Sequence, residues 1–176
     1  MTDKIYLVGF MASGKSTLAR ALSERLAWRC EDIDELIEAR ERHTITEIFQ
    51  QQGEPYFRTV EREMLAILQP MRNVVVATGG GTFADTENRQ RINLNGTSVW
   101  LDVALADLIP RIPMDGRRPL AANLAQLERL YAARADAYRL AHVRVPIAAS
   151  MSVSDVVDRV LQALEQPPSL LDVPRA

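Results

Sequence analysis

A glycine-rich segment near the start of the chain is the part best suited to chemistry, because it lies between an apolar stretch and a helical pattern. Residues 9–16 read Gly-Phe-Met-Ala-Ser-Gly-Lys-Ser, which fits the pattern G-x-x-x-x-G-K-S/T. In such a loop the backbone N–H groups and the positive end of the following helix bind a polyphosphate. The lysine contacts the β- and γ-phosphates, and the serine hydroxyl binds Mg²⁺. The sequence therefore predicts a nucleoside triphosphate site formed by Ala12, Ser13, Gly14, Lys15, Ser16 and Thr17.

Two carboxylates, Asp32 and Asp34, come at the end of the second predicted strand. Side chains two residues apart leave the same face of an extended chain. Because ligands of open α/β sheets bind outside the carboxyl ends of the strands, we expect this pair beside the phosphate loop. Asp32 is then a candidate Mg²⁺ ligand together with Ser16, and Asp34 a candidate contact for the incoming nucleophile. In the alternative interpretation, Asp34 only caps a helix that begins at Glu35.

Two further segments could contact a second substrate. One is the pattern F-R-x-x-E, which contains Arg58 and Glu61, and the other is a triple glycine directly after the third apolar stretch. Three glycines are difficult to explain by packing, since they offer no side chain, but they suit a close approach of backbone to a ligand. The alternatives are a flexible turn for the glycines and, taken alone, an ordinary surface charge for Arg58.

In this order the phosphate loop, Asp-x-Asp, F-R-x-x-E and the triple glycine resemble the shikimate kinase family, over nearly the whole chain to about residue 164. The resemblance implies transfer of the γ-phosphoryl group of ATP to the 3-hydroxyl of shikimate, with one Mg²⁺ ion as cofactor. It implies that Lys15 is catalytic and that Asp34 holds the attacking hydroxyl, with proton acceptance as a second role.

The same resemblance implies a clamp for the carboxylate of shikimate. Arg58 matches the arginine of F-R-x-x-E, and Arg134 matches the arginine of an R-x-x-x-Y pattern. Two planar guanidinium groups can bind a carboxylate bidentately and fix its orientation. Glu61, one helical turn from Arg58, is then an orienting partner for that guanidinium. The remaining substrate contacts implied by the resemblance are Gly79, Gly80 and Gly81.

A polar loop with two adjacent arginines, Arg117 and Arg118, is interpreted as a mobile lid. Gly116 and the flanking prolines interrupt helical continuity there. The resemblance implies that Arg118 is a catalytic and nucleotide-binding residue that closes over the transferred phosphate. If the alignment to the family pattern shifts by one residue, Arg117 takes that role. Arg111 matches the family's adenine-stacking arginine. The alternative for the lid arginines is a pair of solvated surface charges.

Strand-like stretches alternate with helical patterns along the chain, which predicts a single α/β domain with a central five-stranded parallel sheet flanked by helices. The resemblance implies that this fold is of the nucleoside-monophosphate-kinase-like P-loop class. A capping box at Thr44 opens a short helix that Gly53 ends. The domain is expected over residues 1–165, with a substrate-binding segment at about 33–62, a lid at about 112–123 and a disordered tail at 166–176. The strands are predicted near 5–8, 28–32, 74–78, 98–101 and 144–147, and the main helices over 15–26, 54–69, 86–94, 124–139 and 152–164.

Composition limits the class of protein. The chain has 176 residues, a net charge of −2 and one cysteine, which favours one domain without an intramolecular disulfide. The interspersed charges argue against nucleic-acid and membrane binding, no apolar run is long enough to span a membrane, and we expect no signal peptide. We therefore expect a cytoplasmic monomer acting on small molecules. Two alternatives stay open: another P-loop kinase of small molecules or nucleoside monophosphates, and a catalytically silent nucleotide-binding paralogue.

One position in the phosphate loop departs from the family pattern. Ala12 stands where many members carry glycine. Alanine is tolerable there if the backbone does not need a positive φ.

Overall fold

The computed structural model describes residues 3–112 and 124–165. These residues contain five parallel strands in the order β2-β3-β1-β4-β5. The predicted five-stranded parallel sheet is therefore confirmed. The predicted tail and, apart from Ile112, the predicted lid with Arg117 and Arg118 lie outside the described residues. The strands are β1 (Lys4–Val8), β2 (Arg29–Asp32), β3 (Val74–Ala77), β4 (Thr97–Val103) and β5 (Val143–Ile147).

At least one helix follows each strand. The helices are α1 (Lys15–Leu26), α2 (Ile33–Glu41), α3 (Ile45–Gln51), α4 (Gly53–Leu68), α5 (Thr86–Asn95), α6 (Leu105–Leu108), α7 (Leu124–Tyr138) and α8 (Val153–Glu165), with a 3₁₀ turn at Ile109–Arg111. Thr44 and Glu47 form the predicted capping box at α3. Gly53 is the first residue of α4, whereas the sequence predicted only that it ends α3. The short α6 and the 3₁₀ turn were not predicted, because so few residues carry no readable periodicity.

The core lies on both faces of the sheet, as β1 illustrates. Ile5 and Leu7 belong to an apolar cluster that includes α1 and α8, whereas Tyr6 and Val8 belong to a second cluster that includes α4, α5 and α7. Alternate residues of a strand point to opposite faces, so a strand covered on both sides must be apolar throughout. This explains why the fully buried β3 is a continuous apolar run, whereas the edge strand β2 is largely polar and only partly buried. Among the described helices, none has the length and apolar character needed to cross a bilayer.

The parallel pairing brings three strand ends together. Leu7 of β1 pairs with Ala77 of β3, and Ala77 pairs on its other side with Asp32 of β2. The phosphate loop follows β1, Asp32 ends β2 and the triple glycine follows β3. Since the carboxyl ends of parallel strands share one edge of the sheet, all three segments meet there.

The far end of α4 is anchored by a buried lysine. Lys4 Nζ donates to the carbonyl oxygens of Leu68, at 2.7 Å, and Gln69, at 2.8 Å. Carbonyl groups at a helix C-terminus lack helical partners, and a cation there is also favoured by the helix dipole. Burial lowers the pKa of Lys4. This contact ties α4, the helix that carries Arg58, to the first strand.

Candidate active site

The phosphate loop closes tightly before α1. Gly14 is the N-cap of α1 with φ 88°, and a side chain at Gly9 would come within 2.9 Å of the Leu101 carbonyl oxygen. Lys15 Nζ donates to the carbonyl oxygens of Gly9, at 3.0 Å, and Phe10, at 2.7 Å. The catalytic lysine candidate is thus held inside the loop, and Ser16 follows it in the first turn of the helix.

Ala12 adopts φ 61°, in the left-handed region. From the sequence, alanine was expected to be tolerable here only if the backbone did not need a positive φ. The structure shows that the backbone does adopt a positive φ at this residue. A side chain with a β-carbon in this conformation costs about 1 kcal/mol. The loop therefore carries a local strain that glycine would not.

We expect Ala12→Gly to raise the free energy of unfolding by about 0.5 kcal/mol, because relief of the strain, about 1 kcal/mol, exceeds the added entropy of the unfolded chain, about 0.5 kcal/mol. Urea denaturation measures this change. The matched control is Ala133→Gly in the exposed interior of α7, which should lower the free energy of unfolding by about 1 kcal/mol. Equal destabilisation by both substitutions would contradict the assignment of strain to Ala12.

The two aspartates have different roles in the local structure. Asp32 Oδ1 accepts hydrogen bonds from the backbone N–H groups of Asp34, at 2.9 Å, and Glu35, at 3.4 Å, and so caps α2. The alternative in which Asp34 caps the helix is therefore wrong. Asp34 Oδ1 instead lies over the glycine run, 2.8 Å from where a β-carbon on Gly79 would be.

The donors near the loop fit a magnesium ion. Ser16, Asp32 and Asp34 line one cavity of about 440 Å³. Hydroxyl and carboxylate oxygens are the hard ligands that Mg²⁺ prefers, and the ion usually takes only one or two carboxylates beside water and phosphate oxygens. The residues present are therefore compatible with the predicted cofactor.

Arg58 is held by two carboxylates of its own helix. Its Nη1 donates to Glu61 Oε2 at 3.0 Å, and its Nη2 and Nε donate to Glu54 Oε1 at 2.9 and 3.2 Å. Burial opposes the charge, but the two carboxylates outweigh it and raise the pKa of Arg58. The predicted Arg58–Glu61 contact is present. Glu54 was missed, although its spacing of four residues from Arg58 was a readable signal for a helical pair.

Arg134 is almost fully buried, with 7% of its surface exposed. Its Cζ lies 5.8 Å from the centre of the Phe10 ring, and none of the described carboxylates forms an ion pair with it. Burial, with a further contribution from the nearby charge of Arg58, lowers the pKa of Arg134. Phe10 belongs to the phosphate loop, so the two halves of the site are in direct contact.

The two guanidinium groups converge at the triple glycine. A β-carbon on Gly81 would lie 2.7 Å from Arg58 Nη2 and 3.1 Å from Arg134 Nη2. A side chain at this position would collide with Arg58, so the glycine allows both guanidinium groups to reach the same point of the backbone. A carboxylate bound in the adjoining cavity is the expected partner, because it accepts from both guanidinium groups and offsets a buried positive charge.

The cavity collects most of the predicted acceptor-site residues. Phe49 and Phe57, with ring centres 4.8 Å apart, add an apolar wall that the sequence interpretation missed. Arg111 is exposed and is not among the lining residues, so its predicted contact with adenine stays a prediction. A second, shallower depression lies at the amino ends of β2 and β3 and contains none of the predicted site residues. Those that line the cavity are Ser16, Asp32, Asp34, Arg58, Gly79, Gly80, Gly81 and Arg134.

Fold and site together define a P-loop kinase of small molecules, with a phosphate loop, an adjacent carboxylate and a separate anion clamp. A family model described as shikimate kinase matches residues 11–165. The shikimate kinase of Sulfurihydrogenibium sp. is 40% identical over 163 residues, which cover 92% of this chain and 98% of that protein. The shikimate kinase of Persephonella marina is 43% identical over 142 residues, covering 80% and 87%. The chain belongs to the shikimate kinase family.

Solved structures agree with this assignment. Shikimate kinase from Acinetobacter baumannii in complex with shikimate superposes with a TM-score of 0.87 at 33% identity, covering 92% of each chain. Shikimate kinase from Aquifex aeolicus gives 0.83 at 36% identity, covering 92% of this chain and 96% of that one. A deoxyadenosine kinase from M. mycoides, with a TM-score of 0.60 at 16% identity, shares only the fold.

Proposed function

We propose that the chain is a shikimate kinase that transfers the γ-phosphoryl group of ATP to the 3-hydroxyl of shikimate, giving shikimate 3-phosphate and ADP. The observation that carries the proposal is the convergence of Arg58 and Arg134 on Gly81, beside Asp34. An acceptor with a carboxylate at one end and a hydroxyl at the other matches this arrangement. Membership of the shikimate kinase family supports the same substrate.

In the proposed mechanism, the loop N–H groups and the amino end of α1 bind the triphosphate. Lys15 leaves the carbonyl oxygens of Gly9 and Phe10 and contacts the β- and γ-phosphates. The main role of Asp34 is to orient the 3-hydroxyl, and accepting its proton is a secondary role. If the proton leaves the hydroxyl late in the reaction, a base that acts early lowers the barrier little. Charge spreads over the equatorial oxygens of the transferred group, so nearby cations stabilise the transition state.

One bound Mg²⁺ would neutralise charge on the phosphates, and we propose Ser16 and Asp32 as the residues that hold it. We also propose that Arg118, or Arg117 in the shifted register, closes over the phosphates from a lid at about residues 112–123, and that Arg111 stacks on adenine. The substrate-binding segment of about residues 33–62 then corresponds to α2, α3 and the first part of α4.

We further propose that the enzyme, a domain spanning residues 1–165, acts as a monomer in the cytoplasm, since one chain supplies all the residues assigned to the acceptor site. A molar mass of one chain by light scattering, with and without substrates, would be the expected result.

A coupled ADP-release assay tests the function with shikimate, quinate, gluconate and nucleoside monophosphates as acceptors. We expect shikimate to give a kcat/KM about a hundredfold or more above the others, because a site with buried polar groups rejects acceptors that leave them unpaired. Turnover with a nucleoside monophosphate instead would favour another P-loop kinase. Nucleotide binding without turnover of any acceptor would favour a silent paralogue.

A further inference from the structure

The carboxylate of Glu61 is buried completely and is held from three parts of the chain. Its Oε1 accepts from Thr82 Oγ1 at 2.6 Å, and its Oε2 accepts from Arg58 Nη1 at 3.0 Å and from Asn88 Nδ2 at 3.4 Å. Glu61 and Arg58 are on α4, Thr82 follows the triple glycine, and Asn88 is on α5. A buried charge must be paired and hydrogen-bonded to be tolerated, and both oxygens of Glu61 meet that requirement.

These contacts decide which edge of Arg58 faces the cavity. Glu61 occupies one side of the guanidinium at Nη1, and Glu54 occupies the other side at Nε and Nη2. The end of the group, formed by Nη1 and Nη2, is directed at Gly81, where a β-carbon would lie 2.9 and 2.7 Å away. Glu54 has 46% of its side chain exposed and Glu61 none. Because Glu61 is fully buried and Glu54 is not, Glu61 is the partner that fixes the position of the Arg58 guanidinium.

Asn88 is poorly explained as a residue that serves folding alone. It is fully buried, and its Oδ1 has no hydrogen-bond partner among the described residues. An unpaired buried acceptor lowers stability, so an apolar residue of similar size would serve packing at least as well. The contribution that such a residue could not make is the hydrogen bond from Nδ2 to Glu61.

We propose that Thr82 and Asn88 are positioning residues of the acceptor site: they fix the carboxylate of Glu61, which directs the end of the Arg58 guanidinium at the substrate carboxylate. This inference rests on the proposed role of Arg58. Thr82 and Asn88 do not line the cavity, so they act only through Glu61. Their loss weakens acceptor binding and leaves ATP binding as it is.

Thr82 offers a matched pair of variants. Thr82→Val keeps the shape and removes the hydroxyl, and we expect it to raise the KM for shikimate about tenfold, since a hydrogen bond to a charged group is lost. The KM for ATP should stay within about twofold of wild type, a separation that general destabilisation would not give. Thr82→Ser should restore the KM for shikimate. Equal shikimate KM values for Thr82→Val and wild type would overturn the inference.

Asn88→Leu separates positioning from stability. We expect a KM for shikimate about fivefold to tenfold above wild type, together with a melting temperature that is unchanged or higher, because an unpaired buried oxygen is removed. Gln90→Leu, at an exposed position of the same helix, is the control and should leave both quantities unchanged. A lower melting temperature with an unchanged KM for shikimate would mean that Asn88 is structural only.

The two proposals fail in different ways. Wild-type protein without shikimate-dependent turnover would refute the proposed function itself. Normal wild-type turnover with an unchanged KM in Thr82→Val and Asn88→Leu would refute only the positioning role.

Discussion

Lys15→Ala is expected to lower kcat by about a hundredfold to a thousandfold at saturating ATP and shikimate. Lys15 Nζ lies within the phosphate loop, bonded to the carbonyl oxygens of Gly9 and Phe10, and is the described cation best placed for the β- and γ-phosphates. Removing one fixed donor from a site of developing charge costs about 2.7–4 kcal/mol in the transition state. Steady-state kinetics with the coupled ADP assay measures the loss.

The control for this prediction is Arg20→Ala, which removes an exposed cation of the same helix that pairs with Glu35. It should leave kcat within about twofold, because exposed ion pairs contribute little. Circular dichroism of Lys15→Ala should match wild type. A lost fold would make the effect structural, and a near-normal kcat in a folded variant would remove Lys15 from the mechanism.

Arg58→Ala is expected to lower kcat/KM for shikimate by about 30-fold to several thousandfold. The substitution removes one half of the clamp at Gly81 and leaves the buried carboxylate of Glu61 without its cation. Losing one partner of a buried charge pair costs about 2–5 kcal/mol, which gives this range in catalytic efficiency. The decisive measurement is kcat/KM for shikimate at fixed, saturating ATP, with the KM for ATP determined in parallel.

Arg62→Ala is the matched control, since Arg62 is on the same helix, does not line the cavity and pairs with Asp85 at 3.8 Å. We expect its kcat/KM for shikimate to stay within about threefold of wild type. Near-normal kinetics of Arg58→Ala would rule out the clamp. A parallel loss of ATP affinity in Arg58→Ala would indicate a disturbed domain and not a lost acceptor contact.

Much of the fold could be predicted because its determinants are local. Helix α1 has the predicted bounds, Lys15–Leu26, since a phosphate-loop motif fixes its start and a helical spacing of apolar residues fixes its face. The central strands were located within a few residues because a sheet covered on both faces requires continuous apolar runs. The edge strand β2 was also located, although it is largely polar. The phosphate loop was equally readable, since its chemistry lies in consecutive residues.

The helix that begins after β2 shows where local patterns were insufficient. Asp32 and Asp34 both have the side chain of a good N-cap, and the sequence did not decide between them. Packing places Ile33 in the core, so the helix begins there and Asp32 becomes the cap. Ala12 is similar, because its positive φ follows from how the loop must close between β1 and α1 and not from alanine's own preference.

The sequence by itself determined the alternation of strands and main helices along the chain, the phosphate loop and the residue types able to bind an acidic, hydroxylated acceptor. Only the tertiary structure decided that Arg58 and Arg134, on separate helices, meet at Gly81, and that Glu61 is fixed by Thr82 and Asn88. The physical reason is the range of the forces involved. Local hydrogen bonds and the spacing of apolar residues involve only a few consecutive residues, so they can be read along the chain. The distance between two guanidinium groups on different helices instead depends on how those helices pack against the sheet.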